Sequence, residues 1–365
     1  MTKVRITKRT DDIIARDRKV FLTTTRGPYP FIAEKGEGDF AYDIEGNKFI
    51  DFSSFISVYN LGVNGNNEIR TAVKAQVDKL MHAAFTDYRS ELPVLFGEKL
   101  MKFMPTGFGK MFLSNSGTEA NEAAIKFSKL FTKRQYVLAF YNSFHGRTMG
   151  SLGLTSSQTV HREHFGPFNG VIHAPYPYPY RCMLGHKTDE CGMEHINFIE
   201  RNILSRSTPG KEIAAIFVEP VQGEGGYVVP SKTFMKELRR IADEHGILLV
   251  SDEVQAGYMR TGKFLAMDNF GVKADIYTMA KAIGGGLPMG VTVTRSSLGD
   301  IPAGSHANTF GGNLAAVAAG YASLKYLERN KASLEKQVRD KGKIIMKRLN
   351  GFVDDYEIVG DARGL

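Results

Sequence analysis

Lys281 stands between the apolar run DIYTMA (275–280) and a triple glycine, Gly284, Gly285 and Gly286. Lysine is seldom buried without a reason, and glycines let a backbone come close to a ligand. An amine held in such a place loses its proton readily and can condense with a carbonyl compound as a Schiff base. The same pattern also suits a lysine that binds phosphate beside a glycine loop. Asp252 closes a second apolar run, GILLVSD (246–252). In open α/β sheets ligands bind beyond the carboxyl ends of the strands, and a carboxylate there can pair with a buried cation. It can equally cap the segment that follows. The third feature is SNSGTEA (114–120), which joins the apolar run MFL to a helical stretch. Small hydroxylated residues at a helix start offer free N–H groups and the positive dipole end to an anion. Alternatively, they form a plain N-cap with Glu119 as its capping-box partner. Alone, each feature has a structural explanation. Together they supply a phosphate cradle, an imine-forming lysine and an aspartate for a pyridinium nitrogen, the parts that pyridoxal 5'-phosphate requires.

These groups need a scaffold that brings strand ends together. From about residue 110 the chain alternates short apolar runs with helical stretches. The runs 110–115 (KMFLSN), 136–141 (YVLAFY), 213–219 (IAAIFVE), 246–252, 275–280 and 289–294 (MGVTVT) read as buried strands. Between them, residues 118–130 and 231–245 repeat apolar side chains at helical spacing. Such alternation implies a mainly parallel sheet covered by helices on both faces. The segment 40–51 (FAYDIEGNKFID) reads instead as two short strands joined by a turn. After Asn313 a long helical pattern runs to Leu327 and beyond, and the tail YEIVGDARGL (356–365) resembles the start of another strand. The expected organisation is a small domain built from both chain ends (1–55 and 322–365) flanking a large cofactor-binding domain (56–321).

Composition narrows the function classes. The 365 residues are 42% hydrophobic and 24% charged, as in ordinary globular proteins. No stretch approaches the roughly 20 apolar residues of a membrane span. The N-terminus, MTKVRITKRTDDIIARDRKV, has no apolar core of a secretory signal, so a cytoplasmic location is expected. The net charge of +8 is dispersed, without a basic run interleaved with aromatics, which argues against nucleic-acid binding and fits attraction of anionic metabolites. Cys182, His186, Cys191 and His195 read C-x3-H-x4-C-x3-H. Four soft ligands so close together could hold zinc. The Pro- and Tyr-rich setting (APYPYPYRC) and the unusual spacing favour an unliganded connecting loop, and no metal is expected.

Read in order, the motifs are GEGDFAYDIEGNKFIDF, SNSGTEANEAAIK, FHGRT, EPVQGEGG, SDEVQAGYMRTGKF, AKAIGGGLPMG and HANTFGGNLAA. With these motifs the sequence resembles, over essentially its whole length, the class III aminotransferases. These are the fold-type I pyridoxal-phosphate enzymes that include 4-aminobutyrate, ornithine and acetylornithine aminotransferases. The resemblance implies an α/β fold whose large domain carries a mainly parallel seven-stranded sheet between helices, with a small α+β domain beside it. Lys281 would form the Schiff base with the cofactor and carry the proton between the substrate carbon and the cofactor C4′. Asp252 would pair with the pyridinium N–H and keep the ring electron-withdrawing. Gln255 would bond the phenolic oxygen, Val254 and Phe144 would cover the two ring faces, and Ser116, Gly117 and Thr118 would hold the phosphate. Thr309 would reach the phosphate of the neighbouring subunit, which implies a homodimer with shared sites.

For substrate, the resemblance implies that Arg147 binds a carboxylate distal to the reacting amine, with Glu219 and Glu224 nearby, the second able to neutralise a mobile arginine. That arginine lies in the C-terminal part of the small domain in the family. Relatives continue past the Asp361-Ala362-Arg363-Gly364-Leu365 that ends this sequence, so a truncated C-terminal part is expected, and Arg363 does not take that role. A departure lies at 61–65 (LGVNG), where relatives often read G-H-x-H-P. Ile56, beside that loop, is a pocket residue or simple core packing. The implied reaction moves an amino group from an ω-amino acid, such as 4-aminobutyrate or acetylornithine, to 2-oxoglutarate. The alternatives are an amino-acid racemase, which returns the proton to Cα, and a non-catalytic protein on the same scaffold.

Overall fold

Seven short runs, rich in β-branched and aromatic residues, assemble into one sheet in the computed structural model, which describes residues 4–24, 29–186 and 190–365. A separate antiparallel sheet of β1 (Ala33–Glu37), β2 (Phe40–Asp43) and β3 (Lys48–Ile50) precedes it. The main sheet holds β4 (Phe108–Ser114), β5 (Tyr136–Phe140), β6 (Val171–Ala174), β7 (Ile213–Val218), β8 (Leu248–Asp252), β9 (Ile276–Met279) and β10 (Gly290–Arg295). Their order across the sheet is β4-β10-β9-β8-β7-β5-β6. The five strands from β9 to β6 run parallel, whereas β10 is antiparallel to both of its neighbours.

All residues of β7, β8 and β9 are buried, as expected of strands covered on both faces. Successive side chains point to opposite faces, and the packing follows that period. Leu138, Phe140, Ile216, Val218 and Leu249 pack with Phe234, Leu238 and Ile241 of the helix Lys232–His245. Val137, Ala139, Ala215, Phe217 and Val250 pack with Ala124 of the helix Gly117–Thr132 on the other side. Helices thus close both faces and leave ligands only the strand ends.

The runs read from sequence lie within one or two residues of β4, β5, β7, β8, β9 and β10. β6 and β1 were not legible: VIHA is very short, and AEKGE is an exposed, polar edge strand interrupted by glycine. The tail expected to begin a strand forms none. A strand needs a neighbour's ladder, and residues 356–365 instead follow the helix end, with Arg363 Nε donating to the Gly226 carbonyl at 2.8 Å. The last helix, Leu314–Asp355, is continuous across residues 321–322, and its buried side chains end at Leu327. Cys191 and His195, expected on a loop, lie buried on the helix Glu190–Phe198. Among the described residues, no helix is long and apolar enough to cross a membrane.

Candidate active site

The carboxyl ends of β8 and β9 lie side by side, with Asp252 paired in register to Thr278, three residues before Lys281. A cavity of about 440 Å³ opens there, lined by Ser116, Gly117, Thr118, Phe144, Arg147, Glu219, Asp252, Val254, Gln255 and Lys281 among others. Ten residues singled out from sequence thus converge, although 165 positions separate Ser116 from Lys281 (281 − 116).

Asp252 is buried, and a buried carboxylate must find donors. Its Oδ2 accepts from Asn121 Nδ2 at 2.7 Å and from His145 Nδ1 at 2.8 Å, and its Oδ1 accepts from the Val254 N–H at 3.0 Å. Oδ1 therefore keeps room for one further donor. Burial works against a charged His145, but the hydrogen bond and charge of Asp252, with Glu219 adding, outweigh it and raise His145 above its ordinary value. Neither His145 nor Asn121 stood out as a partner from sequence. The available signal was a lone Asn in the small-residue stripe of the helix, at Ala120-Asn121 before Ala123 and Ala124, and a His next to Phe144 in FHGRT.

Lys281 follows β9 directly and takes a left-handed backbone, φ 53°, a conformation uncommon for residues with a Cβ and often seen at functional positions. Its ammonium makes no hydrogen bond or ion pair among the described residues. Burial lowers its pKa, opposed by the charges of Asp252, Glu219 and Glu224 and assisted by Arg260. An unpaired amine whose proton is loosened in this way is a nucleophile.

The helix Gly117–Thr132 is capped by Ser116, whose hydroxyl accepts from the Glu119 N–H, while the Glu119 carboxylate accepts from the Asn115 N–H at 2.7 Å. Helix geometry leaves the first N–H groups, at Gly117 and Thr118, without intrahelical acceptors. Both face the cavity end of the macrodipole. Gly117 is needed because a Cβ there would come within 2.7 Å of Val254 Cγ1, and Gly290 because one there would meet the Ser116 carbonyl oxygen at 2.2 Å. The Thr118 hydroxyl is already engaged, with Thr148 at 2.8 Å and Ser151 at 2.6 Å, and ties the helix start to the FHGRT loop.

On that loop, the Phe144 N–H donates to Glu219 Oε1 at 2.9 Å, and Glu219 Oε2 accepts from the Gly223 N–H at 2.9 Å. Burial raises the Glu219 pKa to about 7 against these bonds. Arg147 is exposed at the cavity, its guanidinium 5.5 Å from the centre of the Phe144 ring, with no carboxylate partner among the described residues. Three residues lie apart from the cavity. Glu224 and Thr309 are exposed and do not line it, although the Glu224 charge reaches Lys281. Ile56 is 66% exposed on a left-handed turn (φ 63°) and lines a different, apolar cavity with Phe31, Phe49 and Phe55.

The arrangement fits pyridoxal phosphate: free helix N–H groups for its phosphate, an open Oδ1 position on Asp252 for its ring nitrogen and an unpaired Lys281 for its aldehyde. The family model described as Aminotransferase class-III matches residues 22–365. The chain is 38% identical to a leucine/methionine racemase of Thermococcus litoralis, over 98% of this chain and 80% of that protein. It is 36% identical to an acetylornithine aminotransferase of Methanosarcina mazei, over 97% of this chain and 82% of that protein. A solved taurine:2-oxoglutarate aminotransferase from Bifidobacterium kashiwanohense, in complex with pyridoxal phosphate and glutamate, superposes with a TM-score of 0.89 at 27% identity, covering 100% of this chain and 82% of that one. On this fold, these residues and these likenesses, the chain belongs to the class III aminotransferases, enzymes that depend on pyridoxal phosphate.

Proposed function

We propose that the protein moves an amino group from an ω-amino acid, of the 4-aminobutyrate or acetylornithine kind, to 2-oxoglutarate. The observation that carries this reading is Arg147, an arginine at the mouth of the cavity with no carboxylate partner among the described residues. A guanidinium held there without a protein acid is available to a carboxylate on the substrate. Both the donor and 2-oxoglutarate carry a carboxylate remote from the reacting carbon.

In this reading the bound cofactor supplies an electron sink for the bonds at the substrate's amine-bearing carbon. Ser116, Gly117 and Thr118 bind its phosphate through the helix N-terminus. Val254 and Phe144 hold its ring between them, and Gln255 donates to its phenolic oxygen. Asp252, backed by His145 and Asn121, keeps the ring nitrogen protonated. Lys281, released once substrate is bound, takes the proton from the substrate carbon and returns it on the same side of the ring. Glu219 holds the Phe144 loop, and Glu224 neutralises a second cation near the substrate. Thr309, exposed and away from this cavity, serves the site of a second subunit in a cytoplasmic homodimer. The segments 1–55 and 322–365 belong to a smaller domain that borders the site.

A second reading is racemisation, in which Lys281 or another base returns the proton to Cα. It is favoured by the 38% identity with the leucine/methionine racemase, against 36% for the acetylornithine aminotransferase. One experiment separates the two. Pure holoenzyme is incubated with a panel of ω-amino acids, monoamines and neutral L-amino acids, with and without 2-oxoglutarate. Glutamate formed only with an ω-amino acid and the oxo acid supports transamination. D-amino acid formed without any oxo acid overturns it in favour of racemisation.

A further inference from the structure

Far along the chain from Lys281, the strap after β6 carries Tyr176, Tyr178 and Cys182 towards the helix Glu190–Phe198. There Cys182, Cys191 and His195 converge, with their ligand atoms all within 4.8 Å of one another. Among the described residues it is the one place where three such donors meet. Cys191 Sγ lies 3.0 Å from Cys182 Sγ and 3.7 Å from His195 Nδ1. Cys191 and His195 sit four residues apart on one helix, a spacing that puts both on the same face.

We infer that Cys182, Cys191 and His195 bind a structural zinc ion. The ligand set suits that metal, which takes thiolate and imidazole in tetrahedral sites. His195 is fully buried, and its Nδ1 bonds the Cys191 carbonyl at 2.6 Å. That bond makes Nδ1 the protonated nitrogen and leaves the lone pair on Nε2, which is buried with no partner. A ligand histidine commonly has this form, one ring nitrogen anchored to a backbone carbonyl and the other on the metal. An orphaned nitrogen is otherwise costly to bury. Tetrahedral zinc about 2.3 Å from each sulfur sets the two sulfurs about 3.8 Å apart, so the thiols need to part by less than about 1 Å. Binding releases the two thiol protons and forms two zinc–thiolate bonds, with no change of oxidation state.

The position gives the ion a purpose. Tyr176 donates its hydroxyl to the Glu219 carbonyl at 3.0 Å, and the Tyr178 ring lies under the Arg363 guanidinium, which itself holds Gly226. The strap therefore supports the EPVQGEGG loop (219–226) beside the cofactor cavity, and zinc would fasten its far end. A disulfide between the two cysteines would leave the buried His195 Nε2 without a partner.

The test uses the full chain as holoenzyme, expressed with zinc chloride and freed of loosely bound metal. Elemental analysis should find about one zinc per chain. Cys182→Ser combined with Cys191→Ser should reduce it to background. Because that variant could fail to fold, wild-type protein stripped by a chelator is also titrated with cobalt chloride alone, which should give a thiolate-to-cobalt charge-transfer band that zinc displaces. Zinc below about one-tenth equivalent together with no cobalt band overturns the site. That holds whether the two cysteines are then found as free thiols or, by an intact mass lower by two hydrogens, as a disulfide.

Discussion

His145 Nδ1 donates to Asp252 Oδ2 across 2.8 Å, with both side chains buried at the cavity floor. The imidazole is held in place because Asn121 bridges the same oxygen and the His145 carbonyl, each at 2.7 Å. His145 therefore positions Asp252 and spreads its charge. In His145→Gln this charge-assisted bond, worth about 1.5–3 kcal/mol, is weakened, and kcat should fall roughly tenfold to two hundredfold. A merely structural role would leave the cofactor's own titration unmoved. The check is the pH dependence of bound-cofactor absorbance, which should shift in the variant. An unshifted profile at normal cofactor content would remove the positioning role.

Asp252→Asn should keep the fold and the phosphate contacts yet lose nearly all activity. A neutral amide no longer favours a protonated ring nitrogen, and loss of one buried charge of a pair costs several kcal/mol. Cofactor content by absorbance and single-turnover rates check this together. Turnover near the wild-type rate would show that the ring nitrogen takes its proton from elsewhere.

Arg147→Ala should raise KM for a 4-aminobutyrate-like donor about tenfold to a few hundredfold while changing KM for a monoamine little. The basis is a charge-assisted guanidinium–carboxylate contact of about 1.5–3 kcal/mol. Steady-state kinetics on both donors decide it. Equal losses for the two would mean that Arg147 serves only to hold the Phe144 loop, over whose ring it lies.

The core carries a pH dependence of its own. Glu253 is buried, and burial raises its pKa from an ordinary 4.5 to about 7, despite hydrogen bonds from the Met267 and Ala266 N–H groups. A raised folded-state value means that the folded chain binds more protons than the unfolded chain between about pH 4.5 and 7. Stability is then fullest below pH 4.5 for this group and falls as pH rises through that window, by up to about 3 kcal/mol. Glu219 acts in the same direction. Denaturant melts of Glu253→Gln from pH 5 to 8 should show a shallower decline than wild type. An identical slope in the variant would assign the dependence to other groups.

Much of this site was legible because its residues lie at the ends of apolar strands, where ligands bind in open α/β sheets. The apolar runs placed Asp252 after LLVS and Lys281 after IYTM at strand ends, and the fold then set those two strands side by side. The helix start at Ser116 was readable from its capping residues for the same reason. What stayed hidden depends on contacts between distant segments. The Asn121 and His145 bonds to Asp252 span 131 and 107 residues and leave no periodic trace. Ile56 shows the converse. Its type suggested a pocket or a core, but a run of left-handed residues at 54–57 turns it outward onto another cavity. The cysteine–histidine cluster was visible as a spacing, yet the segment's prolines and tyrosines suggested a loop, and the helix that aligns Cys191 with His195 emerged only in the fold.

The most direct test of the account is chemical trapping of the cofactor. Holoenzyme reduced with borohydride should lose the absorbance of the cofactor–lysine linkage and yield one phosphopyridoxylated peptide, carrying the label on Lys281. Lys281→Ala should bind cofactor without that fixed label and lose at least about 10²–10⁴-fold in rate, the contribution of a positioned proton-transfer group. A label on any other lysine, with Lys281 unmodified, would contradict the assignment of the cavity at the ends of β8 and β9 as the catalytic centre.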